Sequence, residues 1–510
     1  MRNPRENTVD DIVRRSANRT PDRTALVFGD RAYTYAELDA ATSRAAAHLL
    51  SLGLVKGDRV ATVGLNSDAY LLAYLGCARS GLVHVPVNYA LTGGELRYLL
   101  SDSGARVALV DPALLDNVEK VRGETALEQV LVLHGTDDAV LERWTSGEDP
   151  GPDAVTDPPT DTDLVQLLYT SGTTSQPKGA MMTHRALMHE YVSCLTSLDF
   201  GADDAPLHVM PLYHSAAMHV FLMPGLAVGA TNHLLPRPDV AQILAAVAEH
   251  RIGSLFLAPT VWVPLANHPD LATSDLGSLR TAYYGASIMP VPVLKRLQQE
   301  LPGIRFYNCF GQSEIGPLAT VLRPEEHEDR PESCGREVLF VQARVVDENG
   351  VDVGADESGE LLYRSPQLCV GYWNKPDETD EAFRDGWFHS GDMVRRDAEG
   401  YFTVVDRIKD VINTGGVLVA SREVEDALYT HPAVAEVAVI ATPDERWIEA
   451  VTAVVVRRAD VEADEAALIA HARTSLAPFK LPKKVHFVDE LPRNQSGKLL
   501  KRVLRDQLAP

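Results

Sequence analysis

Two hydrophobic rhythms alternate along the first part of the chain. "DRVATVGL", from Asp58, is an apolar run with the pattern of a strand, and "SDAYLLAYLGCARSG" follows with Leu71, Tyr74, Leu75 and Ala78 at the i, i+3, i+4, i+7 spacing of a helix. "LVHVPVN", "TGGELRYLLSDSG" and "RVALVD" then repeat strand, helix, strand. Alternation with short connections predicts βαβ units, hence a parallel-rich sheet covered by helices. None of these strands runs into a G-x-G-x-x-G, so a dinucleotide fold is not indicated.

Residues 145–163 are acidic and rich in proline, which predicts an exposed connection. Beyond Asp406 the texture changes. "SREVEDALYTHPAVAEVAVIATPDERWIEAVTAVVVRRADVEADEAALIAHA" reads helix, strand, strand, helix, with strands at 437–440 and 451–456. That is a compact α+β unit of about 100 residues. A boundary near 407–410 divides the chain into a large α/β domain, 1–408, and a small α+β domain, 409–510, with no internal repeats.

At 510 residues the chain exceeds the roughly 250–300 residues at which one hydrophobic core stops growing, in keeping with two domains. Its 48 basic against 71 acidic residues give a net charge of −23, which repels nucleic acid and anionic membrane. Cys77, Cys194, Cys309, Cys334 and Cys369 lack C-x-x-C spacing, so neither a disulfide framework nor a zinc site is expected. The opening "MRNPRENTVDDIVRRS" lacks an apolar core, which argues against a secretory signal and for a cytoplasmic protein. Between Asp204 and Arg237 no charged residue occurs, but histidines and prolines interrupt the stretch; it reads as a buried segment or ligand pocket, with no stable membrane insertion.

The candidate chemistry begins with "YTSGTTSQPKGAMMTH" at 169–184. From Gly172 the spacing to Lys178 fits the phosphate loop G-x-x-x-x-G-K-[ST], but Pro177 stands at its second glycine and Gly179 at its hydroxyl. Hydroxyls, glycines and one lysine can still offer N–H groups, O–H groups and a cation to a phosphate tail. Read alone, the stretch is either that or a polar turn. Four further motifs follow it in order: "FYNCFGQSEIGPLAT" from Phe306, "GWFHSGDM" from Gly386, "VVDRIKDVINTGG" from Val404 and "PRNQSGKLLKR" from Pro492. Together the five resemble the adenylate-forming superfamily, in its acyl-CoA synthetase and fatty-acid–CoA ligase branch, over essentially the whole chain.

The resemblance implies a set of roles. Thr170, Ser171, Gly172, Thr173, Thr174 and Lys178 would cover the ATP phosphates, with Ser175 in place of the family's usual glycine. Phe310 would stack on adenine and Ser313 lie near the α-phosphate, beside Asn308, Gly311 and Gln312. Glu314, with Thr170, would hold Mg2+, an ion that needs few protein carboxylates when phosphate and water oxygens complete its shell. Gly285, Ala286 and Ser287 match the strip between adenine and the acyl group; Asp392, Val404 and Arg407 match the ribose and phosphate contacts. His214, in a P-x-x-H pattern, matches the gate to the acyl pocket, and Lys498 the lysine bridging carboxylate and α-phosphate. Lys409 matches the hinge about which the small domain swings, presenting Gly415 and Gly416 to the CoA thiol.

That last face departs from the family: "VLVAS" replaces a polar-aromatic stretch, and Ser421 stands where a proline is usual. The implied reaction joins a carboxylic acid to AMP from ATP, then passes the acyl group to the thiol of CoA. Small aliphatic residues around His214, with no carboxylate to pair an ammonium, favour an apolar acid, most simply a medium or long fatty acid, with an aromatic or bulky polycyclic acid as the alternative. The alternatives are a ligase that loads the phosphopantetheine of an acyl carrier protein, expected on a separate chain, and a non-catalytic nucleotide-binding module. A homodimer also stays open. Eight basic residues between Lys480 and Arg505 against two acidic ones suggest a local positive field for the CoA phosphates.

Overall fold

A computed structural model describes residues 6–151, 154–170, 176–287, 289–415, 417–444, 446–458, 461, 463–493 and 499–508. The chain divides into two compact units. The larger runs to Pro331 and adds Gly335–Gln342 and Arg364–Asp385; the smaller holds Glu332–Cys334, Ala343–Tyr363 and Gly386–Pro510.

The larger unit contains two parallel-rich sheets, as the alternation predicts. One has six strands in the order Gln129–Val132, Val107–Val110, Arg59–Val63, Val83–Val87, Leu164–Thr170, Lys178–Thr183, antiparallel only at the last pair. The other has nine strands. Its parallel centre runs Arg305–Phe310, Thr281–Gly285, Ser254–Leu257, Pro206–His208, Asn232–Leu234, Thr24–Phe28, with antiparallel strands at both edges. The predicted helix is Asp68–Ser80: Ser67 Oγ accepts the amide of Tyr70 at its start, and Gly81, at φ 75°, ends it in the left-handed conformation. Every residue of this helix is buried, not one stripe alone. The cause is close packing on Tyr35–Ser51, where a Cβ at Gly76 would come within 2.9 Å of Ala45 Cβ.

The uncharged stretch between Asp204 and Arg237 is a buried segment. It forms the strand Pro206–His208, the π-helical turn Ala216–Leu222, the helix Met223–Val228 and the strand Asn232–Leu234. Among the described residues no helix is long and apolar enough to cross a membrane. A buried polar chain ties the π-helical turn to the six-stranded sheet: His219 Nε2 lies 2.6 Å from Gln166 Oε1, and the Gln166 amide nitrogen 3.0 Å from His84 Nδ1. Burial pushes both imidazoles down to about 3, so both rings are uncharged at neutral pH.

The smaller unit has an antiparallel group, Ser358–Arg364, Trp387–Arg396 and Phe402–Arg407. Its second sheet orders Val417–Val419, Ile412–Thr414, Ile448–Arg457 and Val434–Asp444, with Lys484–Val488 parallel to Ile448–Arg457. The helices Ser421–Tyr429 and Glu465–Ala472 pack on a core that includes Val424, Leu428, Val439, Val451 and Leu468. The two long strands extend well beyond the apolar runs 437–440 and 451–456. Polar residues are carried into the ladder by cross-strand pairing, as where Thr442 Oγ1 meets Thr452 Oγ1 at 2.7 Å.

Candidate active site

In the larger unit the candidate residues gather at the C-terminal ends of the central strands, the usual place for a ligand in an open α/β sheet. The strand Leu164–Thr170 pairs with Lys178–Thr183 so that Thr170 lies opposite Lys178. Residues 171–175, which hold Ser171, Gly172, Thr173, Thr174 and Ser175, lie outside the described residues. Tyr98 holds the far side of the turn by donating its hydroxyl to the Pro177 carbonyl at 3.1 Å. Gly179 has a steric reason: a Cβ there would meet the Tyr169 ring at 3.1 Å and Trp373 Cβ at 3.5 Å.

Glu314 sits on the tight turn Ser313–Ile315, which follows the strand Arg305–Phe310 directly, and is only 7% exposed. One carboxylate oxygen, Oε1, accepts from Thr170 Oγ1 at 3.1 Å and from the hydroxyl of Tyr372 at 3.2 Å. Tyr372 belongs to a segment strapped along Lys178–Thr183. The Trp373 amide donates to the Gly179 carbonyl at 2.8 Å, the Met181 amide to the Gly371 carbonyl at 2.9 Å, and the Cys369 amide to the Glu314 carbonyl at 2.8 Å. The Lys178 ammonium lies 5.2 Å from the centre of the Tyr372 ring, within cation–π range. Thr170, Lys178, Glu314 and Tyr372 thus form one cluster of hard oxygens beside a cation.

The remaining candidates of this unit lie on or after the strands of the nine-stranded sheet. Gly285 lies opposite Cys309 in the sheet, and a Cβ there would sit 2.2 Å from the Cys309 carbonyl oxygen, so only glycine fits. Ala286 follows at φ 63°, a left-handed conformation in a non-glycine residue, and Ser287 is exposed beside it. Asn308 lies opposite Tyr284. Phe310 is half-buried at the end of its strand; at Gly311, φ 154°, a Cβ would come within 1.9 Å of the Pro317 carbonyl. The side-chain nitrogen of Gln312 is buried with no hydrogen-bond partner among the described residues. His214 is half-buried, and the next residue, Ser215, contacts Ser313 hydroxyl to hydroxyl at 2.8 Å, joining the two segments.

In the smaller unit, Asp392 and Arg407 face each other across Trp387–Arg396 and Phe402–Arg407, with Arg407 Nε 2.6 Å from Asp392 Oδ1. Val404 pairs with Val394 in the same ladder. Lys409 is exposed on the turn Ile408–Asp410. Gly415, at φ 66°, donates its amide to the Trp447 carbonyl at 2.6 Å; Gly416 and Lys498 lie outside the described residues. Ser421 forms contacts a proline could not. Its amide and its hydroxyl both reach Asp406 Oδ2, at 2.6 and 2.7 Å, and Lys501 Nζ reaches the same hydroxyl at 2.5 Å. Burial alone would lower the Lys501 pKa, but Glu425 at 2.8 Å, with Asp406 and Asp410, holds it above the ordinary lysine value.

Four of the eight basic residues from Lys480 to Arg505 have close acidic partners. Lys480 pairs with Glu423 at 2.5 Å, Arg493 with Glu436 at 2.7 Å, Lys501 with Glu425, and Arg505 with Asp410. Counting charge along the sequence overlooked these partners, which come from the helix Ser421–Tyr429, the strand Val434–Asp444 and the turn Ile408–Asp410. Tyr372 and Ser215 were also overlooked. The "GYW" around Tyr372 was the available signal, an aromatic pair directly after a glycine.

The AMP-binding enzyme family matches residues 13–373, and the AMP-binding enzyme C-terminal domain matches 423–498. A feruloyl-CoA synthase from an Amycolatopsis species is 38% identical over 96% of this chain and 97% of its own length. A medium/long-chain-fatty-acid–CoA ligase from Mycobacterium tuberculosis is 35% identical over 96% and 88%. The solved structure of the anthranilate CoA ligase AuaEII with anthranoyl-AMP superposes with a TM-score of 0.90 at 26% identity, covering 99% of this chain and 98% of that one. The chain belongs to the AMP-binding enzyme family, in the adenylate-forming superfamily of acid–thiol ligases.

Proposed function

We propose that this enzyme is an ATP-dependent acyl-CoA ligase acting on an apolar carboxylic acid. The observation that carries the reading is the cluster in which Thr170 and Tyr372 both donate to Glu314, next to Lys178. Hydroxyl and carboxylate oxygens are the donors Mg2+ prefers. Among the described residues no three His, Cys, Asp or Glu side chains group around a metal position, which suits an ion completed by phosphate and water oxygens. Glu314 and Thr170 would hold it, and it would neutralise phosphate charge when bound.

In the first step a carboxylate oxygen of the acid bonds to the α-phosphorus of ATP while the bond to the pyrophosphate oxygen breaks. Both reactants are anions, so the protein's part is to align them and offset charge. Lys178 and the hydroxyls of 170–174 would cover the leaving phosphates. Phe310 would stack on adenine, Asp392, oriented by Arg407, would accept from ribose hydroxyls, and Lys498 would bridge the acid and the α-phosphate. In the second step the thiol sulfur bonds to the acyl carbon and AMP leaves. The small domain, 409–510, would turn about Lys409 between the steps, bringing Gly415 and Gly416 to the thiol.

The acid is apolar because the segment after His214 runs to Arg237 without a charged side chain that could pair a substrate ammonium. AMP release and thioester formation, measured over straight-chain fatty acids, hydroxycinnamates and amino acids with free CoA or an acyl carrier protein, test the whole reading. Apolar acids with free CoA are expected to give the highest kcat/KM. A preference for an amino acid would overturn the substrate class, and thioester formation only on the carrier protein would overturn CoA as acceptor. The exposed Val417 and Leu418, in place of polar and aromatic residues, are why the carrier arm is included.

A further inference from the structure

Glu190 is completely buried in the helix His184–Ser197, in the larger unit, and none of the motifs contains it. Its Oε1 accepts the Leu318 amide at 2.8 Å and lies 3.5 Å from the Cys194 thiol; its Oε2 accepts from the side-chain amide of Gln367. That amide also reaches the carbonyls of Ile315 and Leu318, at 3.2 and 3.1 Å, while Ser193 donates to Gln367 Oε1 at 2.6 Å. Directly above, at Gly316, a Cβ would fall 2.8 Å from Glu190 Oε2. The carboxyl group therefore lies against the underside of the turn that carries Ser313 and Glu314. Through Gln367 it also reaches the strap that carries Tyr372.

The side chains facing it, Cys194, Gln367 and Ser193, are uncharged, as are Tyr191 and Cys309 farther away. Burial pushes the carboxyl up to about 8, against the Leu318 amide, the Cys194 thiol and the Gln367 amide, which favour the anion. A buried carboxyl without a cation is costly where only a fold is needed. Its shape has a geometric use here: the carboxyl group turns an oxygen to each of two N–H donors, Oε1 to the Leu318 amide and Oε2 to the Gln367 amide, whereas a glutamine has one oxygen and would turn an N–H toward the N–H of Gln367.

We propose that Glu190 is a positioning residue for the adenylate-forming step, fixing the turn 313–318 and the strap 367–372 so that Glu314, Thr170 and Tyr372 converge. The inference rests on the function proposed above for Glu314. Glu190→Ala and Glu190→Gln, made in the full chain, test it by three measurements: hydrogen exchange of the Leu318 amide, Mg·ATP affinity by calorimetry, and steady-state AMP formation. In Glu190→Ala, Leu318 protection is expected to fall at least tenfold and Mg·ATP affinity about tenfold, with KM for the acid unchanged. Glu190→Gln keeps the acceptor for Leu318, so protection should stay within threefold of wild type while Mg·ATP affinity still drops several-fold. Mg·ATP affinity within twofold of wild type in both variants overturns the proposal, as does a fall that affects the acid KM equally and tracks a lowered Tm. If the wild type forms no AMP with any acid, the proposed function fails, and the exchange and calorimetry still decide the role of Glu190.

Discussion

The cluster around Glu314 and the network around Ser421 are both hydrogen-bonded groups built on a carboxylate, yet they stand in opposite relations to the family pattern. In the first, Thr170, Lys178 and Glu314 are the residues the resemblance leads one to expect, and the fold gathers them with Tyr372. In the second, the expected proline is absent and Ser421 supplies an N–H and an O–H that both reach Asp406. A departure from a motif is thus not a loss of structure. Asp406, on the strand before the turn Ile408–Asp410, is bonded to a helix that begins after it.

The sharpest way to break the comparison is Lys498→Ala. If the Glu314 cluster alone sufficed for the first step, carboxylate-dependent pyrophosphate exchange would survive the loss of a lysine from the other domain. Loss of one charge-stabilising donor from a reacting centre typically lowers kcat about 10²–10³-fold, and exchange is expected to fall at least that far. Exchange at the wild-type rate would remove Lys498 from the mechanism.

Ser421 sharpens it next. Ser421 is the first residue of its helix, where proline is conformationally welcome, and Ala420 already has the extended backbone a following proline requires. Ser421→Pro therefore deletes all three hydrogen bonds of Ser421 with little strain, leaving the buried Asp406 without either of its Ser421 donors, whereas Ser421→Ala deletes only the two made by the hydroxyl. The alanine variant is expected to lose about 1 kcal/mol in urea melts and the proline variant about 1 kcal/mol more. Equal losses would mean that the amide contact contributes nothing and that the network is the hydroxyl's alone.

What could be seen from the sequence follows the range of the interaction. The parallel sheets were legible because strand and helix rhythms are local, and the residues of the nucleotide motifs were legible because each motif is one short stretch. The Glu314–Tyr372 bond joins residues 58 apart, and Glu190 meets Gln367 across 177, so no periodicity carries either contact. The pairing of the 480–505 run was out of view for the same reason: the acids that pair with Lys480 and Arg493 lie 57 residues away in each case. Ser421 was visible as a departure, but its partner Asp406 was not, since a missing proline says nothing about which acceptor will use the new N–H.

Ser175 should give the smallest effect. It stands where the family usually has glycine, between Thr170 and Lys178, which lie opposite each other in the sheet. Its influence is expected to come through the backbone entropy given up when ATP binds. Glycine gives up more backbone freedom than any other residue when it is ordered, a difference of roughly 0.5–1 kcal/mol. Ser175→Gly should accordingly raise KM for ATP about two- to fivefold. KM for the acid, and the rate of the first step at saturating ATP, should not change, because no charged or hydroxyl contact assigned to the phosphates is removed. A fall in that rate at saturating ATP would show instead that Ser175 acts on the reacting phosphate. A lower KM would show that the glycine conformation suits the ATP-bound turn better than serine does.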